Sequence, residues 1–198
     1  GIFLALAWGL PEVLSGWRFR MPALGGVGGA AILALGVSAW HQTGYWQNSV
    51  TLCTRALAVT ENNWEAWTIL GVTYGKLGQT QQAIGYFREA VRIRPNYFDP
   101  WYNLGVLHEK LGQPQRAIDH FRVAVRINPA HAEAWNDLGA NYGKVGQTLQ
   151  AIDHFREAVR LRPGYAEAWY NLGVAYTILG QTKQADDCFR EARRSKPD

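Results

Sequence analysis

The chain has 198 residues, enough for one or two domains, and carries 20 Lys and Arg against 16 Asp and Glu, a formal net charge of +4. Rich in Trp, Gly and Ala and moderately charged, it is neither a disordered segment nor a disulfide scaffold, and Cys53 and Cys188 stand in no metal-binding or redox spacing. So mild a basic balance points to nucleic acid only if the charge gathers on one face.

The N-terminus is apolar at once, from Ile2 to Leu10, with neither an initiator Met nor a charged segment before it. It reads as the cut edge of a longer protein. Residues 1–20 are expected to be the end of one membrane helix, closed near Pro11, and a short loop carrying Arg18 and Arg20. From Met21 to Thr54 there is no Asp, Glu, Lys or Arg. An apolar span of about 20 residues crosses a hydrocarbon core of roughly 30 Å, so residues 21–42 are expected to be a transmembrane helix. A helix apolar all round and buried in a soluble protein would need a large body around it. A signal peptide cut after Val37-Ser38-Ala39 is the other alternative, and the earlier apolar stretch stands against it. Lys and Arg gather on the cytoplasmic side, so Arg18 and Arg20 turn everything after the second helix outward. Trp40, Tyr45 and Trp46 then lie at the far interface. The expected location is the bacterial inner membrane, with the rest of the chain extracytoplasmic.

Residues 43–63 hold a single amphipathic segment, and from Trp64 onward the chain repeats every 34 residues. With position 1 at Trp64, Phe98, Ala132 and Ala166, position 4 is Trp67, Trp101, Trp135 and Trp169. Position 8 is Gly71, Gly105, Gly139 and Gly173, and position 15 is Gly78, Gly112, Gly146 and Gly180. Position 24 is Phe87, Phe121, Phe155 and Phe189, and position 32 is Pro95, Pro129, Pro163 and Pro197. Positions 4, 7, 8 and 11 make one stripe on a first helix; positions 20, 24 and 27 make one on a second. Gly at 8 and Ala at 20 let the two helices approach closely. Gly at 15 permits the turn, and Pro at 32 ends the second helix. Such a pair cannot bury its stripe alone, so neighbours stack.

The pattern resembles the tetratricopeptide repeat (TPR) at every signature position except His108, where Tyr is usual. The resemblance implies an all-α solenoid, a right-handed superhelix with units at 64–97, 98–131, 132–165 and 166–198. The segment 43–63 aligns with a second helix alone, Cys53 taking the place of the position-24 Phe, and is expected to cap the array.

The resemblance also implies a concave groove, lined by the first helices, for a protein or peptide ligand. Its expected residues are Tyr102, Asn136 and Tyr170 at position 5, Asn103, Asp137 and Asn171 at position 6, and Lys76, Lys110 and Lys144 at position 13. Asn103 and Asn171 match the asparagine that clamps a peptide backbone in TPRs of the O-GlcNAc transferase type; one amide both donates and accepts. Asp137 and Ile69 interrupt that ladder. Thr68 and Val72 stand where chaperone-binding TPRs place a carboxylate clamp, which argues against a chaperone-tail adaptor. The Arg rows at positions 25 and 29 interleave with acids and read as a salt-bridged solvent face, not a nucleic-acid surface. His120, His154 and Cys188 share position 23 one repeat apart, too far for shared metal ligation.

No phosphate loop, nucleophile elbow or paired-acid arrangement is present, so neither catalytic residue, cofactor nor metal is expected. The expected partners are a groove ligand, the membrane through residues 21–42, and a second copy through the repeat ends. The join of WGLPEVLSGW, an apolar helix and Gly44 to Leu52 resembles the C-terminal part of bacterial transmembrane-and-TPR O-mannosyltransferases. That resemblance implies an alternative: the acceptor-binding or scaffolding tail of a lipid-phosphosugar-dependent glycosyltransferase, its catalytic part elsewhere.

Overall fold

The computed structural model describes residues 49–195. The expected membrane segment 21–42, residues 1–20 before it and residues 43–48 after it lie outside the described residues. Among the described residues no helix is long and apolar enough to cross a membrane. The compact unit that holds the repeats runs from Cys53 to Asp198.

Glycine and proline set where each helix stops. α1 is Ser49–Val59, α2 Trp64–Lys76, α3 Thr80–Ile93, α4 Phe98–Lys110, α5 Pro114–Ile127, α6 Ala132–Lys144, α7 Thr148–Leu161, α8 Ala166–Ile178 and α9 Thr182–Arg194. Among the described residues there is no strand. Every position-15 glycine has a positive φ, between 66° at Gly112 and 78° at Gly146. That left-handed residue closes the first helix by a Schellman turn: the Gln79, Gln113, Gln147 and Gln181 N–H groups each reach back to a position-11 carbonyl at 2.9 Å. The second helices α3, α5 and α7 end two residues before Pro95, Pro129 and Pro163, with Arg94, Asn128 and Arg162 as their C-caps, and the proline cannot continue them.

The proline does a second thing that spacing alone does not reveal. The carbonyls of Pro95, Pro129 and Pro163 each accept from the indole Nε1 of Trp101, Trp135 and Trp169 at 2.8 Å. Each repeat thereby fastens its tail to the first helix of the next.

Inside a repeat, close approach depends on Gly at position 8. A Cβ on Gly105 would lie 2.6 Å from the Phe121 ring, and one on Gly71 2.6 Å from Phe87. Phe87, Phe121 and Phe155 are at most 4% exposed, and Ala83, Ala117, Ala151 and Ala185 are buried beside them. Cys53, at the corresponding place in α1, is also buried. Repeat 2 departs from the tyrosine pattern. His108 stacks on His120 with ring centroids 5.0 Å apart and planes inclined by 19°, and His120 also lies against Trp101. Two flat imidazoles thus fill the volume that Tyr142 and His154 share in repeat 3.

Consecutive helices pack throughout α2 to α9, and the first helices α2 and α4, and α6 and α8, also touch each other directly. Among the described residues the second helices show no comparable contact with one another. The first helices are therefore the inner rank, and their outward row forms the concave face.

Candidate functional groove

The concave face is a ladder of equivalent positions, and the structure sorts them into joints and open places. Position 5 lies at the joints. Asn136 is 1% exposed, so it is a structural tie rather than an open contact. Its Nδ2 donates to Glu167 Oε1 at 3.3 Å, and its Oδ1 accepts from Asn171 Nδ2 at 2.9 Å. Tyr102 packs between Phe98, Phe121 and His131, and its hydroxyl donates to Asp137 Oδ2 at 2.8 Å. Burial and the Asp137 carboxylate push the Tyr102 hydroxyl far above its ordinary range. Tyr170, the same residue type two repeats on, is 56% exposed.

Position 6 is more open. Asn103 Nδ2 donates to its own helix at Asp99 O, 2.8 Å away, and its carbonyl oxygen has no partner among the described residues. Asn171 donates one amide N–H to Asn136 and likewise keeps its carbonyl oxygen. Both asparagines thus offer an acceptor, and one of the two N–H donors on each amide is already engaged within the array. Asp137 is drawn into the network. Burial raises its carboxyl to about 6, against the hydrogen bond from Tyr102, and Glu109 and Glu167 add to the rise.

The acidic row at position 2 is mostly engaged: Asp99 accepts from Tyr97, and Glu133 pairs with Arg162 at 2.5 Å. At position 13, Lys144 pairs with Glu109 of the preceding repeat at 2.5 Å, while Lys76 and Lys110 have no ion-pair partner among the described residues. Between these rows runs an apolar one. Val72, Val106, Ala140 and Val174 occupy position 9, and Val174 is 37% exposed. Ile69 and Ile178 extend the apolar surface at its two ends.

The outer face carries i,i+3 ion pairs in the second helices: Arg92 with Glu89, Arg156 with Asp153, Arg160 with Glu157, Arg190 with Asp187 and Arg194 with Glu191. His120 and His154 stack on Trp101 and Trp135. No group of three metal-ligating side chains occurs among the described residues.

Family models described as tetratricopeptide repeat match residues 52–85, 70–132, 102–140 and 131–198. No curated protein matches the chain. Among solved structures, a crystal structure of MamA is similar at 26% identity and a TM-score of 0.71, covering 78% of this chain and 91% of that one. Residues 41–end of MamA from Desulfovibrio magneticus RS-1 match at 27% identity and a TM-score of 0.64, over 70% of this chain and 80% of that one. YrrB, described as a TPR protein with an unusual peptide-binding site, matches at 26% identity and a TM-score of 0.68, over 85% of this chain and 84% of that one. Residues 52–198 are therefore an array of tetratricopeptide repeats, and the chain belongs with the TPR proteins.

Proposed function

We propose that the chain is a scaffold that holds an extended peptide segment of a partner protein in the groove of its first helices. The observation that carries this is the half-buried apolar row at position 9, exposed at Val174, flanked by the carbonyl oxygens of Asn103 and Asn171, which have no partner among the described residues. A half-buried apolar row that continues from repeat to repeat, beside acceptors for backbone N–H groups, suits a peptide that runs across the repeats. YrrB, of similar fold, is itself described by its peptide-binding site. Replacing Asn103 and Asn171 together by Ala is expected to weaken capture of arrayed peptides about tenfold, the scale of two modest hydrogen bonds. Capture unchanged by that pair of substitutions defeats the groove assignment.

The scaffold is tethered to the bacterial inner membrane through residues 21–42 and faces the extracytoplasmic side, a reading supported by the uncharged run and by Arg18 and Arg20 before it. Protease added to the cytoplasmic side should spare the repeats. The end of the array offers a surface for self-association, where Tyr170 and Phe189 border a hollow of about 890 Å³. Sedimentation of a Tyr170→Glu variant tests this; an unaltered mass distribution counts against it.

One sequence feature favours a second reading. The join between WGLPEVLSGW and Gly44 to Leu52 resembles transmembrane-and-TPR O-mannosyltransferases, which would make this array the acceptor-binding tail of such an enzyme. Genomic sequence encoding several membrane helices and an early acidic extracytoplasmic loop ahead of Gly1 supports it; a start codon immediately before Gly1 sinks it.

A further inference from the structure

The three joints between consecutive first helices present the same three places, filled differently. Position 12 of one helix stands across the joint from positions 10 and 13 of the next. At the α2–α4 joint these are Gly75, Leu107 and Lys110. A Cβ on Gly75 would already touch Leu107 Cδ2 at 4.0 Å, so Leu107 takes up the space that the glycine leaves, and Lys110 finds no acid there. At the α4–α6 joint the residues are Glu109, Asn141 and Lys144, and the Glu109–Lys144 ion pair closes the surface. At the α6–α8 joint they are Gly143, Ala175 and Ile178. A Cβ on Gly143 would meet nothing within 4 Å, and Ala175 is too short to replace Leu107. The result is a hollow of about 310 Å³ walled by Ala140, Phe155, Val174 and Ile178, with Asn171 and Lys144 at its edge. Ile178, 66% exposed, stands where the other repeats carry Lys.

We propose that this hollow receives one large apolar side chain of the bound peptide, and that an acidic side chain of the same peptide lies against Lys110. The inference rests on the groove reading above and adds the chemistry of the ligand. Charge complementarity selects the acid, because Lys110, like Lys76, has no ion-pair partner among the described residues, and of the two it stands one helix nearer the hollow. Size and apolar lining select the other residue: a Leu or Phe side chain fits, and a charged one would lose its water without a partner. About one and a half helix spacings of roughly 8–10 Å separate Lys110 from the hollow. An extended chain at roughly 3.3 Å per residue covers this in about four residues. The ligand is therefore a segment with Asp or Glu about four residues from Leu or Phe.

An array of synthetic peptides tests this with the full 198-residue chain. Each peptide carries one Glu and one Leu on a Gly/Ser/Thr background, at separations from about two to eight residues, with Leu→Ala and Glu→Gln controls. Capture should peak near a separation of four. The Leu→Ala controls should bind about tenfold more weakly or worse, the scale of losing one buried Leu. The double variant Gly143→Glu/Ile178→Lys rebuilds the Glu109–Lys144 pair inside the hollow and should abolish the Leu preference. Ala175→Leu, which copies Leu107, should do the same by filling the space, and serves if the double variant does not fold. Lys110→Ala should abolish the Glu preference and keep the Leu preference. A Leu preference that survives both hollow-filling variants overturns the inference. Capture that shows neither preference but responds to Asn103 and Asn171 overturns it and leaves the groove reading standing. No capture of any peptide defeats both.

Discussion

The Tyr102 hydroxyl donates to Asp137 Oδ2 at 2.8 Å and joins repeat 2 to repeat 3 across 35 residues of sequence. The bond holds a carboxyl that burial has raised to about 6. One repeat earlier in the packing, His120 has the opposite history: burial, and then the neighbouring His108, lower it to about 4, against a smaller push upward from Asp119 and further lowering by Arg88 and Arg116.

These two groups give stability slopes of opposite sign over one pH window. Unfolded Asp137 ionises near 3.8, so its contribution is complete below that value and is lost as pH rises to about 6. Unfolded His120 takes a proton near 6.5, so its contribution is complete above that value and is lost as pH falls to about 4. Each is worth on the order of 2 kcal/mol after allowance for partial exposure. Asp137→Asn should therefore uncover a loss of stability on acidification from pH 6.5 to 4. His120→Tyr should uncover a gain over the same interval. Thermal melts of the three proteins at pH 4.5 and 7.5 check both; parallel pH profiles would refute the assignment.

Two helix glycines one turn apart in the pattern should respond oppositely to alanine. In Gly105→Ala the new methyl group meets the Phe121 ring, whose far side is walled in, and overpacking costs about 1–3 kcal/mol. In Gly143→Ala the methyl group enters open space, and helix propensity gains up to about 1 kcal/mol. Urea denaturation of both variants reads the difference directly.

The tryptophan–proline tie predicts a loss at the seam between repeats. Trp135→Phe keeps most of the ring but removes the 2.8 Å donor to the Pro129 carbonyl. The expected cost is about 1 kcal/mol. Amide exchange should quicken near residues 129–135 more than in the distant α9. Uniform quickening would mean that the indole acts only as bulk.

Asn136 and Asn171 should be energetically coupled. Asn136→Ala removes the acceptor of the Asn171 amide and the donor to Glu167 together. A double-mutant cycle of Asn136→Ala and Asn171→Ala should return a coupling of roughly 1 kcal/mol. Strict additivity would show that the Asn171–Asn136 bond contributes nothing.

The sequence by itself determined the array. A 34-residue period of Trp, Gly, Ala, Phe and Pro leaves one solution, because each small residue faces a ring and each glycine turn needs a left-handed φ. The first helices as the inner rank, and the ion-paired outer rows, were legible from the same register. Tertiary structure alone decided which inner-face residues are tied to one another and which are not. Position 5 and position 6 are neighbours in sequence, yet Asn136 is sealed in a joint and Asn103 is only half-buried, because Asn136 bonds to Glu167 and Asn171 of the next repeat while Asn103 bonds to its own helix. The hollow at Gly143 shows the same thing. Gly75 and Gly143 hold the same register, yet a Cβ on Gly75 would meet Ala83 and Leu107 while one on Gly143 would meet nothing, and Ala175 stands where Leu107 fills the other joint.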